Sequence, residues 1–96
     1  MRITKEILAS KILKYLNRQI SSDDFAIWAE NAMLENDYQD EYFDEISNAL
    51  SKIGLINVEN FKLPIAFYLN TLKNIDYKTI FGLEPDSVKS NEFEYS

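Results

Sequence analysis

Ser21-Ser22-Asp23-Asp24-Phe25-Ala26-Ile27-Trp28-Ala29-Glu30-Asn31-Ala32-Met33-Leu34 is the stretch that decides the fold. It opens on two hydroxyls and two carboxylates. A Ser or Asp side chain accepts a hydrogen bond from the free amides at a helix start, and negative charge suits the positive end of the helix dipole. Phe25, Trp28, Ala29, Ala32 and Met33 then recur at i, i+3, i+4, i+7 and i+8, which is the stripe of a core-facing helix. Ile27 and Leu34 lie off that stripe, so this helix is expected to be central or to have a second surface to cover. Asn36 and Asp37 are expected to end it.

The same period extends in both directions. Upstream, Leu8, Ile12, Tyr15 and Leu16 share one stripe between Thr4 and Asn17, flanked by Ile7 and Leu13, and Thr4 is in place as an N-cap. Downstream, Phe43, Ile46, Ala49, Leu50 and Ile53 form an apolar face over residues 40–53, bordered by Tyr42. Gly54 followed by Leu55 predicts a left-handed helix end with its apolar follow-on contact. Leu55 to Val58 has the length of a strand and no partner, so a loop with a turn at Val58 to Phe61 is expected. Pro64 fits the first position of a fourth helix carrying Ile65, Tyr68, Leu69, Leu72 and Ile75. Asp76 is placed to cap a last short piece, Tyr77 to Phe81, ended by Gly82. From residue 84 to 96 the pattern gives way to an acidic, mobile tail. With only two Gly and two Pro in 96 residues, the expectation is all-α: one compact domain of four to five short helices over residues 1–83.

Composition narrows the function. The chain has no Cys and no His, ten Lys and Arg, and 16 Asp and Glu, for a net charge of -6. No thiolate or imidazole is present to ligate a metal or to act in catalysis. No phosphate-cradling Gly-rich loop can be built from two isolated glycines. No cofactor is implied, and the chain is not expected to be an enzyme. Its acidic balance argues against nucleic acid as a partner. Lys11 and Lys14 interrupt any signal-peptide core, and no run approaches the roughly 20 apolar residues of a membrane span. A cytoplasmic protein without a membrane partner is expected.

The charge is strongly partitioned. Residues 1–20 carry +4, residues 21–60 carry -9, and residues 61–96 carry -1. The acids concentrate in Glu35-Asn36-Asp37-Tyr38-Gln39-Asp40-Glu41-Tyr42-Phe43-Asp44-Glu45. On a helix, Asp40 and Asp44 would be i, i+4 neighbours, as would Glu41 and Glu45, at about 0.2–0.5 kcal/mol of repulsion per pair. Acids at a helix start and on a solvated face also have a purely structural explanation. The functional alternative is a recognition surface. Glu35, Asp37, Asp40, Glu41, Asp44 and Glu45 supply charge, with Tyr38 and Tyr42 interleaved, for a Lys- and Arg-rich protein partner. The run is not a calcium loop, because it lacks alternate oxygen ligands and the central glycine.

Phe25, Trp28-Ala29-Glu30, Ala32-Met33, the Glu35 to Glu45 block and Ile53-Gly54-Leu55 together give the middle half of the chain a further character. It resembles the small helical immunity proteins of contact-dependent growth inhibition systems. The resemblance implies a cytoplasmic protein that binds a cognate toxin and blocks its active site, many such toxins being basic nucleases. It carries over no catalytic residue. Two other classes remain open: an adaptor docking an apolar helix or peptide along Ile27, Leu34 and Ile56, and an enzyme using carboxylates and a metal.

Overall fold

The computed structural model describes residues 1–76. They form four helices: α1 (Lys5–Leu16), α2 (Ser22–Glu35), α3 (Phe43–Ile53) and α4 (Ile65–Asn74), with a single 3-10 turn at Asp40–Tyr42 leading into α3. The fold is all-α. Among these residues no helix is long and apolar enough to cross a membrane. The expected piece at residues 77–81 and the tail at 84–96 lie outside the described residues.

Two helix starts follow their caps. Thr4 accepts from the amide of Ile7 and Ser21 from that of Asp24. α1 ends in a Schellman turn, in which Arg18 N–H donates to Tyr15 O and Gln19 N–H donates to Lys14 O at 2.8 Å. The left-handed position of that turn is occupied by Arg18, with φ 61°, where glycine is the usual residue. Asn36 takes the same conformation after α2, with φ 52°, and Asn tolerates it well.

Gly54 departs from expectation. Its φ is -62° and its ψ -12°, so it is not a left-handed cap. The chain instead runs on through tight turns, with Leu55 N–H donating to Lys52 O and Ile56 N–H to Ile53 O. What Gly54 provides is room, because a Cβ there would stand 2.9 Å from Met33 Cε on α2. Pro64 is also displaced by one position. It is the N-cap residue of α4, with extended ψ of 157°, and Ile65 is the first helical residue.

The core draws on every helix. Leu8 and Ile12 of α1, Phe25 and Ala29 of α2, Ile46, Leu50 and Ile53 of α3, and Ile75 just beyond α4 are wholly enclosed. Phe25 is a hub, with its ring centroid 4.9 Å from Tyr15, 6.0 Å from Trp28 and 6.4 Å from Tyr68. One residue of α2 thereby ties α1 and α4 together, at separations where aromatic pairs add to simple burial. Trp28 packs at the edge of this cluster, with Lys11 Nζ 5.6 Å above its ring. Of the two residues off the α2 stripe, Ile27 is half-exposed and Leu34 projects into solvent. α4 is turned slightly from its expected face. Tyr68, Thr71 and Leu72 are buried while Ile65 and Leu69 are exposed. The Thr71 hydroxyl donates to Phe67 O at 2.8 Å, which satisfies the one buried polar side chain found there.

The left-handed Arg18 gives a direct test. A non-glycine residue in this region carries a penalty of about 1–2 kcal/mol, partly offset by the chain entropy that glycine loses on folding. Arg18→Gly is expected to raise stability by about 0.5–1 kcal/mol, read as an upward shift of the urea midpoint with unchanged slope.

Candidate functional site: an acidic edge divided by an N-terminal strap

The acidic block does not form one continuous surface. Ile3 N–H donates to Asp37 O at 2.8 Å and Gln39 N–H to Ile3 O at 2.9 Å. This pairs Ile3 with Tyr38 in an isolated parallel bridge. Residues 1–5 therefore lie as a strap against the connection between α2 and α3. Ile3 and Tyr38 are both buried, at 4% and 3% exposure.

The strap uses up the first half of the block. Glu35, at the end of α2, is ion-paired with the amino group of Met1. Asp37 Oδ1 lies 3.3 Å from Arg2 Nε. Tyr38, expected among the partner-facing residues, is instead a core residue. Its ring packs 5.2 Å from that of Phe43, and burial pushes its hydroxyl above the ordinary tyrosine range. With almost no exposed surface it cannot fill a pocket on a partner, and it is removed from the recognition set. Gln39, not among the expected site residues, joins the two segments. Its Oε1 accepts the Lys5 amide at 2.9 Å, satisfying a free N–H at the start of α1 from 34 residues away.

Tyr42 is half-buried and already engaged. Lys5 Nζ lies 3.4 Å from its hydroxyl and 4.8 Å from its ring centroid. Desolvation alone would lower the Lys5 pKa, but the Tyr42 hydroxyl and the charges of Tyr42, Glu41 and Asp76 outweigh it and hold the ammonium above its ordinary value.

The second half of the block remains open. Asp40 and Glu41 project from the 3-10 turn, and Asp44 and Glu45 from the first turn of α3. All four are exposed, and none forms a salt bridge among the described residues. The sole side-chain hydrogen bond to them there is a 3.4 Å contact from Gln39 Nε2 to Glu41. Beside them a groove of about 310 Å³ runs between α3 and α4, with Asp44 and Glu45 in its lining.

A second hollow, about 270 Å³, lies between Tyr15, the loop at residues 56–63 and Tyr68. Burial first, and Tyr15 beside it second, raise the Tyr68 hydroxyl well above the ordinary tyrosine range. A phenol so shifted stays protonated at neutral pH and is unsuited to act as a base or nucleophile. Among the described residues no three acidic side chains converge closely enough to hold one metal ion. No family model, curated protein or solved structure matches the chain.

Two measurements check this geometry. Gln39→Ala strands the first amide of α1 and is expected to lower stability by about 0.5–1.5 kcal/mol. Glu41→Ala, which loses only a long surface contact, should stay within about 0.5 kcal/mol of the parent. The phenol supplies a pH test. Because folding raises the Tyr68 pKa, its contribution is fully present below about pH 10, the ordinary tyrosine value. It is lost as pH rises further, when the unfolded chain releases the proton first. Urea midpoints should fall as pH rises from about 10 towards 12, and the decline should be shallower in Tyr68→Phe.

Proposed function

We propose that this chain is a binding protein for a basic protein partner, with Asp40, Glu41, Asp44 and Glu45 as its primary contacts and Tyr42, Asp37 and Glu35 at the margin. The observation that carries the reading is the set of four exposed carboxylates within six residues, unpaired among the described residues and held on a packed support. The support comes from Tyr38 and Ile46, both buried on either side of the run. Charges on a preorganised edge lose little entropy when a partner docks, and an opposed basic surface accelerates encounter.

Within that class, the resemblance to immunity proteins suggests that the partner is a toxin with a cationic active-site cleft, such as a nuclease. Carboxylates entering such a cleft would take the positions of substrate phosphates and exclude the nucleic acid. The chain performs no chemistry in this reading. It needs no cofactor, and its place is the cytoplasm, where the toxin acts.

The adaptor alternative is served by Leu34 and Ile27, both exposed and two turns apart on α2. Ile56, the third residue of that set, packs partly against the core, so the apolar surface is smaller than the sequence suggests.

The test is association kinetics, followed by stopped-flow fluorescence, with a basic nuclease-toxin domain, the first to try being any that the neighbouring upstream gene encodes. For the parent chain, the association rate constant should fall about tenfold or more between low and high salt. The double variant Asp40→Lys/Asp44→Lys should associate at least about tenfold more slowly at low salt while retaining its helical circular dichroism. Salt-independent binding, unaffected by the double variant but abolished by Leu34→Asp, would sink the acidic-edge reading in favour of the adaptor.

A further inference from the structure

The groove between α3 and α4 has a chemistry of its own. Its volume of about 310 Å³ lies at the lower end of the range for ligand clefts. Asp44 and Glu45 stand at the α3 N-terminal end. Asp76, which follows α4, and Glu41, which precedes α3, both act on the charge of Lys5. The end of α4 therefore lies near the start of α3. The C-terminal carbonyls of α4, the negative end of its dipole, add to the two carboxylates at that end of the groove.

The walls are carboxamides. Asn48 of α3 and Asn70 and Asn74 of α4 line the groove. All three are exposed, and none makes a side-chain hydrogen bond among the described residues. An amide side chain offers one acceptor and two donors, which match the C=O and N–H of a peptide backbone. Phe67, half-buried, supplies an aromatic surface, and Lys52 is the one cation among the groove's lining residues. The groove therefore has an anionic end, a hydrogen-bonding middle and a single positive charge towards the end of α3.

We infer that this groove receives an extended peptide segment of the partner carrying an arginine. The guanidinium enters the anionic end and pairs with Asp44 or Glu45, and the flanking peptide groups bond to Asn48, Asn70 and Asn74. Charge complementarity and donor–acceptor matching select this occupant. The two oxygens of a single carboxylate match the planar donor fork of arginine, which the point charge of lysine does not, and the neighbouring carboxylate adds to the attraction. The inference rests on the basic-partner reading, and it adds a depression that a partner side chain enters beside the exposed acidic edge.

The test is a titration of the full ¹⁵N-labelled chain, at constant ionic strength, with the blocked peptide acetyl-Gly-Ser-Gly-Arg-Gly-Ser-Gly-amide. The same peptide with Glu in place of Arg is the control. The side-chain NH₂ signals of Asn48, Asn70 and Asn74 are expected to shift and saturate with the Arg peptide only. Glu45→Gln and Asn70→Ala, both at exposed positions, should each weaken the apparent affinity roughly two- to tenfold. Asp40→Lys, outside the groove, should still give saturable shifts of the three carboxamides. If the Arg peptide instead shifts only backbone amides of residues 40–45, the groove inference is overturned and the acidic edge stands. Equal responses to both peptides, or none, would overturn the groove inference and count against the edge as well.

Discussion

Two backbone hydrogen bonds, from Ile3 to Asp37 and from Gln39 to Ile3, determine what the acidic half of this protein can do. They are the only link between the extended N-terminus and the α2–α3 connection that is made through the backbone. Their consequences reach well beyond two bonds. They enclose Ile3 and Tyr38 in the core and bring Gln39 to the start of α1. They also set Arg2 against Asp37. An extended segment with unpaired amides would be costly to bury. The bridge removes that cost and allows a tyrosine to sit inside a connection whose neighbours are all polar.

The charge partition consequently means something different in space than along the chain. The positive residues 1–20 and the negative residues 21–60 are folded against each other, and part of each is neutralised internally. These surface pairs contribute little to stability, since both partners of each are about half exposed and well solvated. Their effect is on which charges are left over. Within the 35–45 block, Glu35 and Asp37 are engaged, Tyr42 is covered by Lys5, and the acids left without an ion pair among the described residues are those of residues 40–45. An interface centred there is about half as long as the full 35–45 block suggests, and it is contiguous with the α3–α4 groove.

The helices were legible in the sequence because each is specified locally. Thr4 and Ser21 bond within three residues of themselves, and the stripes on α1, α2 and α3 recur within one or two turns. What escaped was non-local or ambiguous. One residue pair, Ile3 with Tyr38, has no period to detect. A tyrosine flanked by Asp37 and Asp40 reads as surface, although an N-terminal strap can cover it. Gly54 signals a left-handed cap by type, yet its backbone is right-handed, and what lies close to it is the flexible end of the Met33 side chain on another helix. On α4 the apolar residues suggested one face. Packing selected a face rotated to include Thr71, whose hydroxyl can be satisfied by its own helix, and left Ile65 and Leu69 outside. The candidate edge was half legible for the same reason. The acids are a property of the sequence, whereas their division into engaged and open sets is a property of the tertiary contacts.

The open acids also have a structural account, and its reach can be bounded. α3 begins without a side-chain cap, as Tyr42 offers none. The 3-10 turn meets the first amide of α3, Phe43 N–H donating to Asp40 O, and Asp44 and Glu45 in the first turn add a favourable interaction with the dipole. That benefit is about 0.3–1 kcal/mol per favourable charge, and it saturates quickly. Four carboxylates clustered within six residues repel one another by about 0.2–0.5 kcal/mol for each near pair, which offsets much of what the second, third and fourth contribute. One or two acids would suffice to stabilise the start of α3. The excess over that number is what helix capping alone leaves unaccounted for. It is also the part whose repulsion an approaching cationic surface would relieve.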